Sequence, residues 1–254
     1  MKFRHFPVLL LIIMLTGNCR NTGLKKDLSG IDVQIQIKRL DQDIFAFDFE
    51  QPEKSVKKLQ NKYGSFFKLY NQQIINIGST NNKSYPSYLK HFVNDYRIVL
   101  AKEKTEKLYP DLSALENKLN KAFSYFKYHY PKKQIPEFYS YISGFNQSVV
   151  TDENMLGIGL DKYLGKDYKV YKKLGLANYQ RERMQEKFIP FDCMRGWGYM
   201  EFPFNDSINN LVCNIIYEGK ILYFLDAMFP EEPDHLKIAY SEKDMKWCRK
   251  HEKK

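Results

Sequence analysis

An apolar run from Phe6 to Leu15, broken only by Pro7, follows Lys2, Arg4 and His5 at the start of the chain. A short basic region, a brief apolar stretch and then small or polar residues make the pattern of a secretory leader. The run has about half of the roughly 20 apolar residues that a membrane-spanning helix needs. No later stretch of the sequence supplies such a span. The rest of the chain must therefore bury its apolar side chains in a core of its own, and with 254 residues, 43% of them hydrophobic, it has the material to do so.

The leader closes on Leu15-Thr16-Gly17-Asn18-Cys19, which resembles the bacterial lipobox, with Asn18 standing where a small residue is usual. The expected organisation is a lipoprotein signal peptide over 1–18, a flexible tether over 19–30 and a single α+β domain over 31–254. Acylated Cys19 would hold the protein on a lipid bilayer without a spanning helix. Once Cys19 is committed to lipid, Cys193, Cys213 and Cys248 remain, an odd number without CxxC spacing. That argues against a disulfide framework and a structural zinc knot, and leaves one disulfide plus one thiol as an open choice.

The formal net charge is +10, with Lys2 and Arg4 in the leader contributing two of those charges. The remaining positive residues are spread in pairs such as Lys25-Lys26, Lys57-Lys58, Lys132-Lys133 and Lys172-Lys173. Spread charge of this kind reads as a solvated surface, and no nucleic-acid partner is expected. A residual basic face suits anionic lipid headgroups or acidic envelope polymers better.

Ile31, Val33, Ile35 and Ile37 alternate with polar residues, the period of a strand with one buried face. Pro52 then opens a helix over about 53–75, whose inward stripe includes Leu59, Tyr63, Phe66 and Phe67. Further helices are expected from Pro86 to Ala101, with Leu89, Phe92, Val93, Tyr96 and Leu100 inward, and from Pro110 to Pro131. Phe138 to Ser143, Ser148 to Val150 and Leu156 to Leu160 read as short strands of a small sheet. Beyond Asp161 the spacing predicts short helices broken at Gly165, Gly175, Pro190, Gly196 and Pro203. A helix near 207–228, capped by Asp206 or Ser207, is expected at the centre of the core. Its buried face would be Ile208, Leu211, Val212, Ile215, Ile216, Leu222 and Leu225. Ser241 opens a last helix with a capping-box pattern.

The inventory for catalysis is thin. Neither a HExxH pair, a phosphate-binding glycine loop nor a GxSxG elbow is present. No cofactor is expected. The aromatic run Phe123 to Tyr130 places rings on both faces of a helix, which leaves a glycan-binding envelope lipoprotein as one alternative.

Several pieces together resemble the gliding-motility-associated lipoproteins of the GldB type, found in Bacteroidetes. They are the lipobox-like leader, Ile35-Gln36-Ile37-Lys38-Arg39-Leu40-Asp41 with Phe45, the segment Ile158 to Tyr168, and Ile215 to Tyr223 followed by Phe229-Pro230. The resemblance implies a lipid-anchored protein of the cell envelope, periplasm-facing or on the outer membrane, that works with other cell-envelope proteins. Members of that family continue past a Trp and Glu pair like Trp247 and Glu252 into a further helical segment, so a C-terminally shortened member is expected here.

The family also resembles, distantly, the zincin-like scaffold of zinc-dependent peptidases, which implies a candidate degenerate site on the helix near 207–228. The HExxH positions would fall on Cys213, Asn214, Ile215, Ile216 and Tyr217, with Glu252 as the downstream carboxylate. Both histidines and the general-base glutamate are replaced, so a non-catalytic scaffold is expected, with a zinc-dependent hydrolase as the alternative. Glu218 and Lys220 are expected to form a local charge pair, and Cys213 to act as a small buried hydrophobe.

Overall fold

The computed structural model describes residues 23–252 apart from 206, 208 and 209. Cys19, Asp206 and Ile208 lie outside the described residues. Strand β1 (Ile37–Arg39) leads through a short helix α1 (Leu40–Asp43) into the long α2 (Pro52–Leu69), which is extended by a π turn over Tyr70–Ile74. Helices α3 (Tyr85–Asn94), α4 (Tyr96–Leu108) and α5 (Ser113–His129) follow, and then strands β2 (Glu137–Tyr141), β3 (Val149–Asp152) and β4 (Met155–Gly159). The remainder is helical: α6 (Lys169–Lys173), α7 (Asn178–Arg183), α8 (Ile189–Glu201), α9 (Leu211–Met228), α10 (Asp234–Lys237) and α11 (Glu242–His251). The fold is α+β and mainly helical, with one small sheet.

The four strands lie in the order β1-β2-β4-β3. Strands β1, β2 and β4 run parallel, and β3 returns antiparallel against β4. Both faces of the sheet are covered, and the period of two sorts its side chains between two cores. Phe138, Leu156 and Ile158 join the larger cluster with α5, α8 and the second half of α9. Tyr139 and Tyr141 face the other side, into a cluster built by α2 and α3.

Gly157 and Gly159 fall on that second face. A Cβ at Gly157 would lie 2.7 Å from the Phe66 ring and 2.8 Å from Tyr141. The missing side chain is what lets α2 approach the strand closely enough for Phe66 to stack on Tyr139, with centroids 4.1 Å apart.

Four sequence expectations are corrected in detail. The alternation from Ile31 to Ile37 is real, with Val33, Ile35 and Ile37 buried, but only Ile37–Arg39 pairs as strand. Before the strand and at its first residue, backbone groups bond to α5 side chains: Ile35 N–H donates to Asn120 Oδ1 at 2.6 Å, and Ile37 N–H to Glu116 Oε1 at 2.8 Å. The helix expected over Pro86 to Ala101 is two helices, because Asp95 is extended and caps α4 by accepting the N–H of Arg97. Tyr96, expected inward, is 73% exposed. Gly196 does not break α8; it lies inside the helix and packs against Val149.

The helix near 207–228 is α9, capped by Asn210 and not by Ser207. It is not a central core helix. Only its second half is buried, through Ile221, Phe224, Leu225, Ala227 and Met228, whereas Leu211, Val212, Ile215 and Ile216 face solvent. Helix α5 takes the central place, with Leu115, Leu119, Ala122, Phe123 and Phe126 buried in the larger cluster.

Candidate functional site

The carboxyl ends of the parallel strands β1, β2 and β4 open on one edge of the sheet, the edge where open α/β sheets place their functional groups. Two carboxylates are buried there. Asp41, just after β1, accepts Arg39 Nη2 at 2.7 Å and Nε at 2.9 Å, and also the hydroxyl of Ser140 on β2. Asp161, just after β4, is fully buried. It accepts the backbone N–H of Ser143 at 3.0 Å and of Phe145 at 2.6 Å, and the Ser143 hydroxyl. Burial pushes the Asp161 carboxyl above its usual range, while these donors and Lys162 pull it back.

The neighbouring groups continue the brace. Lys162 donates from Nζ to the carbonyl of Phe145 at 3.0 Å, and burial holds its pKa below that of an exposed lysine. The Tyr171 hydroxyl donates to the Asp161 carbonyl and accepts the N–H of Leu164. Tyr109 donates to the carbonyl of Tyr163, and Tyr163 in turn donates to Asp192, which also holds Arg183. The bonds of Asp161, Lys162 and Tyr171 tie the loop after β2 and the turn after β4 to one another. Sequence reasoning missed Asp41 and Asp161 as buried groups. The available signal was a Leu-Asp pair directly after β1 and again directly after β4.

Beside this brace lies a cleft of about 760 Å³ between α4 and the segment 164–173. Lys104, Lys107, Lys166, Lys169 and Lys173 line it against Glu103 and Asp167, so its walls carry an excess of positive charge. Lys166 is partly engaged, by Glu182 at 3.3 Å.

Helix α9 carries Cys213, Asn214, Tyr217, Glu218 and Lys220, and the structure places all of them in its solvent-facing or half-buried stretch 211–220. Tyr217 donates to the carbonyl of Phe202 at 2.8 Å. Glu218 accepts the Tyr199 hydroxyl at 2.9 Å and is not paired with Lys220. Asn214 donates to the carbonyl of Asn210. Cys213 is half-buried and not a core hydrophobe; with Cys193 and Cys248 it is a free thiol. Glu252 ends α11, on the surface. Among the described residues no three His, Cys, Asp or Glu side chains gather to hold a metal ion. In the aromatic run, Tyr125 is buried, Tyr130 is half-buried and Tyr128 is exposed, so the rings form no shared open face.

A family model described as gliding motility protein GldB matches residues 21–254. The chain belongs to the GldB family. No curated protein and no solved structure matches it. The family is one of gliding-motility-associated lipoproteins, and among the described residues no helix is long and apolar enough to cross a membrane. Two of the GldB-like segments, 35–41 and 158–168, carry Asp41 and Asp161, which bond Ser140 in β2 and Ser143 just after it. The third, 215–223, lies on α9.

Proposed function

We propose that this GldB-family chain is an envelope lipoprotein, held on a membrane by acyl chains at Cys19 after removal of residues 1–18, and that it acts by binding other envelope proteins and not by catalysis. The surface that fits this role is the lysine-lined cleft between α4 and residues 164–173. The observation carrying the reading is the set of five lysines against two carboxylates on the walls of that cleft, one wall of which is fixed by Tyr171, whose hydroxyl bonds the Asp161 carbonyl and the Leu164 N–H. A cleft with such walls suits an acidic protein surface, and charge complementarity of this kind governs partner choice and encounter rate.

The test has two arms. In the full chain expressed in its native envelope, Cys19→Ala is expected to abolish lipid labelling and membrane fractionation. Lys166→Glu with Lys169→Glu is expected to leave labelling intact and to remove the proteins that co-purify with the wild-type chain. Unchanged labelling of the first variant refutes the anchor, and an unchanged co-purifying set with the second refutes the cleft. Stoichiometric zinc in gently purified protein, together with peptide turnover that a chelator stops, would instead return the hydrolase alternative.

A further inference from the structure

The first half of α9 presents an apolar surface to solvent. Leu211, Val212, Ile215 and Ile216 are 75%, 64%, 62% and 53% exposed, and Tyr223 is 64% exposed. Val212, Ile216 and Tyr223 share one line along the helix, at spacings of four and seven residues. The two carboxylates on α9 are engaged elsewhere, Glu218 by Tyr199 and Asp226 by Lys237. An uncharged row of large side chains on the outside of a folded body marks a contact surface.

What covers it follows from where Leu24 lies. Leu24, Leu28 and Ile31 pack against the larger core, so the stretch expected as a free tether over 19–30 is laid on the body from Leu24 onward. Leu24 enters a groove of about 490 Å³ whose other wall is α9, through Tyr217, Lys220 and Tyr223. Only residues 20–23 separate Cys19 from Leu24, a reach of at most about 18 Å. Acyl chains on Cys19 therefore hold the bilayer surface within that reach of the groove that Leu24 and α9 line. The rim of the groove is cationic. Lys220 lines it, and Lys26 lies close enough to His129 in its wall to add to the burial that lowers that imidazole.

We propose that the exposed row Val212, Ile216 and Tyr223, with Leu211 and Ile215 beside it, lies in the headgroup region of the membrane that holds Cys19, as a second contact alongside the acyl anchor. This rests on acylation of Cys19 as proposed above. The helix lies along the interface and does not span it, and Lys26 and Lys220 meet anionic headgroups.

The experiment uses the full-length acylated protein in vesicles of phosphatidylethanolamine and phosphatidylglycerol. An environment-sensitive fluorophore is placed at Ile216→Cys in a Cys213→Ser, Cys248→Ser background, and at Tyr179→Cys as an exposed control. Intact mass reads the acyl chains separately. The expected result is a blue shift at position 216 and quenching there by spin-labelled lipid, with neither at 179. Val212→Asp with Ile216→Asp, both at exposed positions, is expected to make transfer between vesicles about tenfold faster, because the acyl chains then hold alone.

A probe at 216 that behaves like the one at 179 in protein with acyl mass present overturns this inference and leaves the anchor standing. Absence of acyl mass overturns both. Shielding of position 216 in lipid-free solution that grows with protein concentration assigns the row to a second copy of the chain, and also overturns it.

Discussion

The carboxylate of Asp161 accepts the backbone N–H of Phe145 at 2.6 Å, joining the turn after β4 to the loop after β2. Phe145 has φ of 68°, in the left-handed region that a bulky residue enters at a cost of order 1–3 kcal/mol. The Ser143 and Phe145 donors are held by this single carboxylate. Asp161→Ala would leave both without a partner, and it is expected to cost about 2–4 kcal/mol of stability. Ser143→Ala removes a neutral hydroxyl that also accepts the part-buried N–H groups of Asn146 and Gln147, and should cost less, about 1–2 kcal/mol. Urea unfolding of the three proteins checks the order. Equal losses in the two variants would mean that Asp161 does not brace the loop.

Phe66 and Tyr141 set a limit on Gly157. Gly157→Ala places a methyl group 2.7 Å from one ring and 2.8 Å from the other, both fully buried, so neither ring has open space to enter. The expected result is a loss of about 1–3 kcal/mol, the usual range for overpacking a closed core. Loss of the near-ultraviolet circular dichroism of the Tyr139–Phe66 stack should accompany it. A neutral substitution would show that α2 moves away from the sheet freely. The same substitution at Gly219, where an added Cβ meets nothing within 4 Å, should be stabilising by a few tenths of a kcal/mol or more, as alanine replaces glycine in an exposed helix.

These residues also show what could be read in advance. Helix α5 is legible because its apolar stripe keeps the helical period from Leu112 to Phe126 between two prolines. The strands β2 and β4 are legible from β-favouring residues between turn residues. Helix α9 misled because apolar residues ring its first half, with Leu211, Val212, Ile215 and Ile216 giving the composition of a core helix. Composition does not distinguish a face packed against protein from one left uncovered. Asp41 and Asp161 were hidden for the opposite reason. A carboxylate reads as surface, and only the loops folding over it, with Ser143 and Phe145 arriving from elsewhere in the chain, bury it. The GldB-like segments 35–41 and 158–168 contain Asp41 and Asp161 without giving the role of either aspartate.

Glu231 ties the start of the folded chain to the body, through ion pairs with Lys121 and Lys25. Its hydrogen bonds, first to Lys121 and then to Lys25, hold the carboxyl down at about 2. A carboxylate with a depressed folded pKa contributes its stabilisation above the unfolded value, and that contribution is lost as pH falls through the folded one. The window therefore runs from the ordinary glutamate value of 4.5 down to about 2. A carbon-13 titration of Glu231 should show its midpoint near the lower end, and Lys121→Ala should move it upward. Because Lys25 adjoins Leu24, protonating Glu231 is expected to loosen residues 24–28 from the core, read as lower heteronuclear NOE values at the acid end. Glu231→Gln should reproduce that loosening at neutral pH. A midpoint at the ordinary value, or unchanged NOE values in Glu231→Gln, would mean that the start of the chain is held by Leu24 and Leu28 packing alone and that the ion pairs add nothing.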